Sequence, residues 1–129
     1  MNDAAALAQL MRELGYETTT SEMQTRMERI VADERYRTFV AMRDGKVCGI
    51  IGTLASLSYE HNDVGGRILA LVTLRTMRRH GIGRVLIATA EKDFVQRGIA
   101  RIGLNTRLAR EDAHKFYQSL GYERNAGGL

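Results

Sequence analysis

Between Ile68 and Asn105 the apolar residues change period twice, and this limits the folds open to the chain. Residues 68–74 (ILALVTL) are apolar on both faces, as the middle strand of a covered sheet requires. Ile82, Val85, Leu86, Ala90 and Phe94 then fall on one side of a helix running from about Gly81 to Arg97, with Gly98 as its stop. Residues 99–105 read as a short strand. Strand, helix and strand in succession make a crossover, so the chain is expected to be an α/β domain.

The flanking segments fill out the domain. Leu7, Leu10, Met11 and Leu14 lie at i, i+3, i+4 and i+7, which predicts a helix from just after Asp3 to Gly15. Met23, Met27, Ile30 and Val31 predict a second, with Ser21 and Gln24 spaced as a capping box. Residues 36–42 and 46–58 are apolar-rich runs on either side of Asp44-Gly45, a hairpin signal. A polar loop over 59–66 leads into the strand at Ile68. Ala113, Phe116, Tyr117 and Leu120 define a last helix, closed by Gly121. The expected order is ααβββαβα, a central mixed sheet flanked by helices and ending on a short strand, in one domain spanning 1–129.

Charge is unevenly spread. Residues 1–66 carry ten acids and seven bases, net −3, whereas residues 67–110 carry ten bases against Glu91 and Asp93, net +8. A concentrated basic segment points to a phosphate-bearing partner, either a nucleotide cofactor or a nucleic acid. The basic segment has only Phe94 as an aromatic, which argues against the base stacking that nucleic-acid binding uses. No apolar run approaches the roughly 18–20 residues that span a bilayer, so no membrane association is expected. There is no basic segment followed by an apolar core at the N-terminus. The single cysteine, Cys48, lies in the apolar run 47–51 and reads as a buried thiol in a reducing, cytoplasmic setting.

The chemistry concentrates after the Ile68 strand. Residues 78–83 read R-R-H-G-I-G and open the helix that follows. Two glycines at a helix start let the backbone approach a ligand, and the unpaired N–H groups with the positive end of the helix dipole form an anion site. The dinucleotide fingerprint GxGxxG is not met, because the position three after Gly83 is Leu86. The Walker pattern GxxxxGK[ST] is absent as well. What remains is R-x-x-G-x-G after a strand. About thirty residues later, 113–122 read AHKFYQSLGY. Together the two resemble the paired motifs of the GNAT acetyltransferases, R-x-x-G-x-G and A-x-x-F-Y-x-x-x-G-F/Y.

That resemblance implies an acetyl-CoA-dependent N-acetyltransferase on a sheet with a central splay. The CoA pyrophosphate is expected on the backbone from Arg79 through Arg84, with Gly81 and Gly83 keeping the approach open and Arg78 and Arg84 adding charge; His80 and Ile82 lie in the same turn. The pantetheine arm is expected beside Leu71, Val72 and Thr73, with a backbone N–H near Val72 polarising the thioester carbonyl. Arg110, where the family often has Asn, is counted with the cofactor-binding residues. Tyr117 matches the tyrosine that protonates the departing thiolate in many members.

Departures from the pattern carry expectations too. Many relatives hold an acid on the strand before the turn, where this chain offers Arg67, Leu69 and Ala70. The general base is therefore open among Tyr59, Glu60, His61 and Asp63 of the preceding loop. His80 and His114 read as exposed helix-end residues, and their spacing suggests no metal site. The first helix begins almost at Met1 and the chain ends at Leu129, short of the family's last strand, which leaves a sheet edge and an expected homodimer. The acidic first half suggests a cationic acceptor, a small-molecule or peptide amine. The alternatives are a catalytically degenerate acyl-CoA-binding module and, more remotely, a nucleic-acid-binding domain.

Overall fold

The computed structural model describes residues 3–77 and 80–104. Helix α1 (Ala4–Leu14) and helix α2 (Thr20–Ala32) precede strands β1 (Tyr36–Arg43), β2 (Lys46–Ser56) and β3 (Gly65–Thr73). A single 3₁₀ turn (Arg75–Met77) leads to α3 (Ile82–Gln96), and β4 (Ile102–Leu104) follows. The sheet order is β1-β2-β3-β4, with β1, β2 and β3 antiparallel and β3 parallel to β4. This is the mixed α/β architecture expected from the crossover. The predicted last helix lies outside the described residues.

Helix α1 stops at Gly15 as its pattern predicts, and the Gly15 and Tyr16 amides return to the carbonyls of Arg12 and Met11 at 3.0 Å. The capping box of α2 sits two residues earlier than Ser21 and Gln24. Thr19 Oγ1 accepts the Glu22 N–H at 3.1 Å, and Glu22 Oε1 accepts the Thr19 N–H at 2.9 Å. Both pairs have box spacing, and threonine and glutamate form the reciprocal pair because the helix begins at Thr20. At the hairpin, Asp44 and Gly45 both have positive φ (53° and 77°), the backbone of a two-residue turn that follows strand twist.

Each face of the sheet is buried against a different layer. Ile51, Ile68 and Leu104 pack with Leu86, Ile87 and Ala90 of α3 on one face. Val47, Ile50 and Val72 pack with Leu7, Leu10, Met23 and Met27 of α1 and α2 on the other. Fully burying one such side chain contributes roughly 1.5–3 kcal/mol, which fixes α1 and α3 across β3 from each other. Gly66 lets Phe94 of α3 lie flat on β3, since a Cβ there would stand 2.8 Å from the ring. Cys48 is buried with its Sγ 3.5 Å from the Ala41 carbonyl, a structural thiol as expected.

Candidate active site

The site starts from an irregularity in β3. Gly52 pairs with Ala70, but the next residue, Thr53, pairs with Ile68, so Leu69 is an extra residue in the ladder. Such a bulge shifts the phase of everything beyond it by one. Before the bulge the Gly66 N–H donates to Arg101 O of the segment entering β4, at 2.8 Å. After it the Leu74 N–H donates to Cys48 O of β2 at 2.9 Å. Antiparallel ladders alternate, so Val72 also turns its amide toward β2, opposite Ile50. The amides and carbonyls of Leu71 and Thr73 turn the other way.

Among the described residues, strand β4 accompanies β3 over residues 66–68. Beyond Ile68 no strand among the described residues covers this side of β3. The bulge thus turns the polar backbone of Leu71 and Thr73 to the side of β3 away from β2, where no described strand pairs with it and an extended ligand could lie as an added strand. The expectation of a free backbone N–H near Val72 is thereby narrowed to its two neighbours. The Val72 N–H is committed to β2, and Val72 contributes a buried side chain on the α1 face, whereas Leu71 packs on the α3 face.

Along the chain, β3 is followed by the N-terminus of α3. Gly81 is its N-cap at φ 78°, in the left-handed region that glycine enters without penalty. A Cβ at Gly81 would meet nothing within 4 Å, so conformation rather than space calls for glycine. No side chain caps this end and no acidic residue occupies the first turn. Instead Arg84 stands there, with the sign that the helix dipole disfavours. The end is therefore electropositive and suited to an anion. Ile82 turns its side chain into the core beside Leu86 and offers the site only backbone, while His80 is exposed. Arg78, Arg79, Arg110, His114 and Tyr117 lie outside the described residues.

The candidate bases in the preceding loop are not near this part of β3. Six residues separate Gly65 from Leu71, about 20 Å along a strand, so the loop sits at the far end of β3. Glu60 accepts the Ser58 hydroxyl at 3.0 Å, and Ser58 Oγ accepts the N–H groups of Glu60 and His61 at 3.0 Å, which closes the loop on itself. Asp63 is paired with Arg101 at 2.8 Å, and the guanidinium holds its carboxyl below the ordinary aspartate range. A carboxylate so stabilised is a poorer base than a free one. Tyr59 points fully into solvent. Among the described residues, no group of three or more His, Cys, Asp or Glu side chains could hold a metal.

One contact had no signal in the sequence. Glu13, in the last turn of α1, accepts the Arg75 N–H at 2.8 Å across 62 residues of chain. Neither residue belongs to a motif, and only the packing of α1 on β3 brings them together.

With this geometry in hand, comparison with known proteins settles the family. The sequence profile described as "Acetyltransferase (GNAT) family" matches residues 4–122. The chain belongs to the GNAT acetyltransferase family. An aminoalkylphosphonate N-acetyltransferase of Salmonella typhimurium is 37% identical to this GNAT chain over 86 residues, which is 67% of the chain and 56% of that enzyme. The match therefore spans little more than half of that relative's length. The crystal structure of a GNAT family acetyltransferase from Staphylococcus aureus superposes with TM-score 0.79 at 27% identity, covering 99% of this chain and 90% of that one. Aminoglycoside N-acetyltransferase AAC(6')-Iy in complex with CoA has the same GNAT fold, with TM-score 0.81 at 17% identity over 99% of this chain and 86% of that one. No helix among the described residues is long and apolar enough to cross a membrane.

Proposed function

We propose that the chain transfers an acetyl group from acetyl-CoA to a primary amine, by direct attack within a ternary complex. The observations that carry this reading are the Leu71 and Thr73 backbone turned away from β2, paired with no described strand, and the electropositive N-terminus of α3 without a side-chain cap. An extended amide-bearing arm suits the first and a pyrophosphate suits the second. Leu71 and Thr73 would pair with the pantetheine, and one of their N–H groups would polarise the thioester carbonyl. The turn from Gly81 to Arg84 would take the pyrophosphate, with Arg78, Arg79 and Arg110 adding charge. Attack by the amine nitrogen forms the new C–N bond, and the C–S bond breaks as the thiolate leaves. Tyr117 would supply the proton that the thiolate gains.

The acceptor is proposed to be a small amine. The acidic first half favours a cationic one, yet several of those acids are engaged in local structure: Glu22 in the α2 cap, Asp33 with Arg35, Asp63 with Arg101. The aminoalkylphosphonate relative favours an amine that carries its own anion. A panel of polyamine, aminoglycoside, peptide and aminoalkylphosphonate acceptors, assayed for CoA release, distinguishes the two. No turnover with any amine, alongside intact CoA binding, would favour an acyl-CoA-binding module instead. A cytoplasmic setting and a homodimer complete the proposal.

Calorimetric titration of CoA into the Gly83→Val variant tests the cofactor site itself. A branched side chain at the second helical residue stands where the pyrophosphate would approach. Affinity should fall below detection while cooperative melting is retained. Wild-type affinity in this variant would remove the turn from the site.

A further inference from the structure

The chain leaving β3 is tied down at successive points from Leu74 to Met77. Leu74 is held to β2 through Cys48 O at 2.9 Å, and the Met77 N–H closes the 3₁₀ turn on Leu74 O at 2.9 Å. Between them, the Arg75 N–H is held by the Glu13 carboxylate of α1 at 2.8 Å. Leu74 also packs into the α1 and α2 core with Leu7 and Leu10, so the helix that carries Glu13 is itself seated on this strand. The neighbouring residue, Arg12, donates to Thr18 O at 2.6 Å and fixes the connection between α1 and α2.

Charge alone makes Glu13 an odd choice for this place. The connection it touches leads straight into Arg78, Arg79 and the electropositive end of α3, where an anion is proposed to bind. A carboxylate nearby repels an anion and weakens its binding. Its oxygen is spent on a main-chain N–H at the start of a turn, which is a geometric service.

We propose that Glu13 is a positioning residue for the cofactor turn: by holding Arg75 it sets the direction in which the chain leaves β3. The inference rests on the reading that this turn binds CoA. Glu13 touches no reacting atom, so its effect belongs to cofactor affinity and not to the chemical step.

Three variants separate position from charge. Glu13→Ala removes the acceptor, Glu13→Gln keeps an acceptor oxygen without the charge, and Glu13→Asp keeps the charge but shortens the reach. Loss of one charge-assisted hydrogen bond that orders a site is worth about a factor of ten, so CoA Kd and the acetyl-CoA KM should rise about 10-fold in Glu13→Ala. The rate at saturating acetyl-CoA should stay within about 2-fold of wild type, as for lost uniform binding. Glu13→Gln should restore most of the affinity, and Glu13→Asp should fall between. Amide exchange at Arg75, followed by NMR, should accelerate in Glu13→Ala and Glu13→Asp. Unchanged or tighter CoA binding by Glu13→Ala would overturn the proposal, because repulsion would then outweigh position. Faster Arg75 exchange with unaltered Kd would overturn it too. If Glu13→Ala does not fold, the other two decide, and equal affinity of Glu13→Asp and wild type refutes the role. Wild-type protein that fails to bind CoA would bring down both readings; wild type that binds while Gly83→Val does not leaves the Glu13 variants to decide alone.

Discussion

Tyr117 carries the sharpest residue-scale expectation. A thiol of pKa near ~8.5 is a fair leaving group, so proton delivery to it contributes at the low end of the ~10²–10⁴ range for acid–base groups. Tyr117→Phe keeps the ring and removes the proton. Single-turnover rates should fall at least ~10-fold, with CoA affinity and melting temperature little changed, because an interaction made only in the transition state moves rate alone. An unchanged single-turnover rate would return Tyr117 to a packing role. The amine, with a pKa near ~10.4, must also lose a proton before it attacks. Asp63 is poorly suited to take it. Its pairing with Arg101 lowers its folded pKa, so the pair's contribution to stability is present above the unfolded aspartate value and is lost as pH falls through the folded one. At neutral pH that pair is a clasp between the start of β3 and the start of β4.

At the scale of elements, the α2 cap offers a direct check on local geometry. Thr19→Ala removes the hydroxyl that accepts Glu22 N–H and should lower stability by about 1 kcal/mol, whereas Ser21→Ala, one residue inside the helix, should stay within about 0.5 kcal/mol. Denaturant melts of the two variants give the comparison, and equal losses would place the cap elsewhere. The same contrast shows how far the sequence could be read. Periodicity located α1, α2, the hairpin and α3 because each buries one face, and burial leaves a repeating mark. It could not choose between two overlapping capping boxes, since that depends on where the first helical hydrogen bond closes. Nor could it find the bulge at Leu69. The run 68–74 is apolar at nearly every position, so a slip of one residue leaves its pattern unchanged while reversing which amides are free. Gly81 at the start of α3 was legible because a helix start is marked locally. The Glu13–Arg75 contact joins two layers of the folded domain and is written nowhere along the chain.

At the scale of the whole molecule, β1 forms one margin of the sheet among the described residues, with β2 as its only described strand partner. No other described strand pairs with its outer backbone groups, and a second copy of the chain is the proposed occupant. Sedimentation at micromolar concentration should give a species near twice 14.4 kDa. A 14.4 kDa species alone would count against the dimer. The bulge has a consequence for how such a gene can vary. Closing the ladder at unchanged length, with Leu69 opposite Gly52, would slip every later residue by one, reverse the faces of Leu71 and Val72, and turn the amides of Leu71 and Thr73 toward β2. The loop between β2 and β3 imposes no such arithmetic, since its length can change without moving any residue of β3 relative to β2. Length polymorphism between homologous genes is accordingly expected in the codons for residues 57–64, whereas within 69–73 the constraint falls on which residue pairs with which, where pairing position and chemistry coincide.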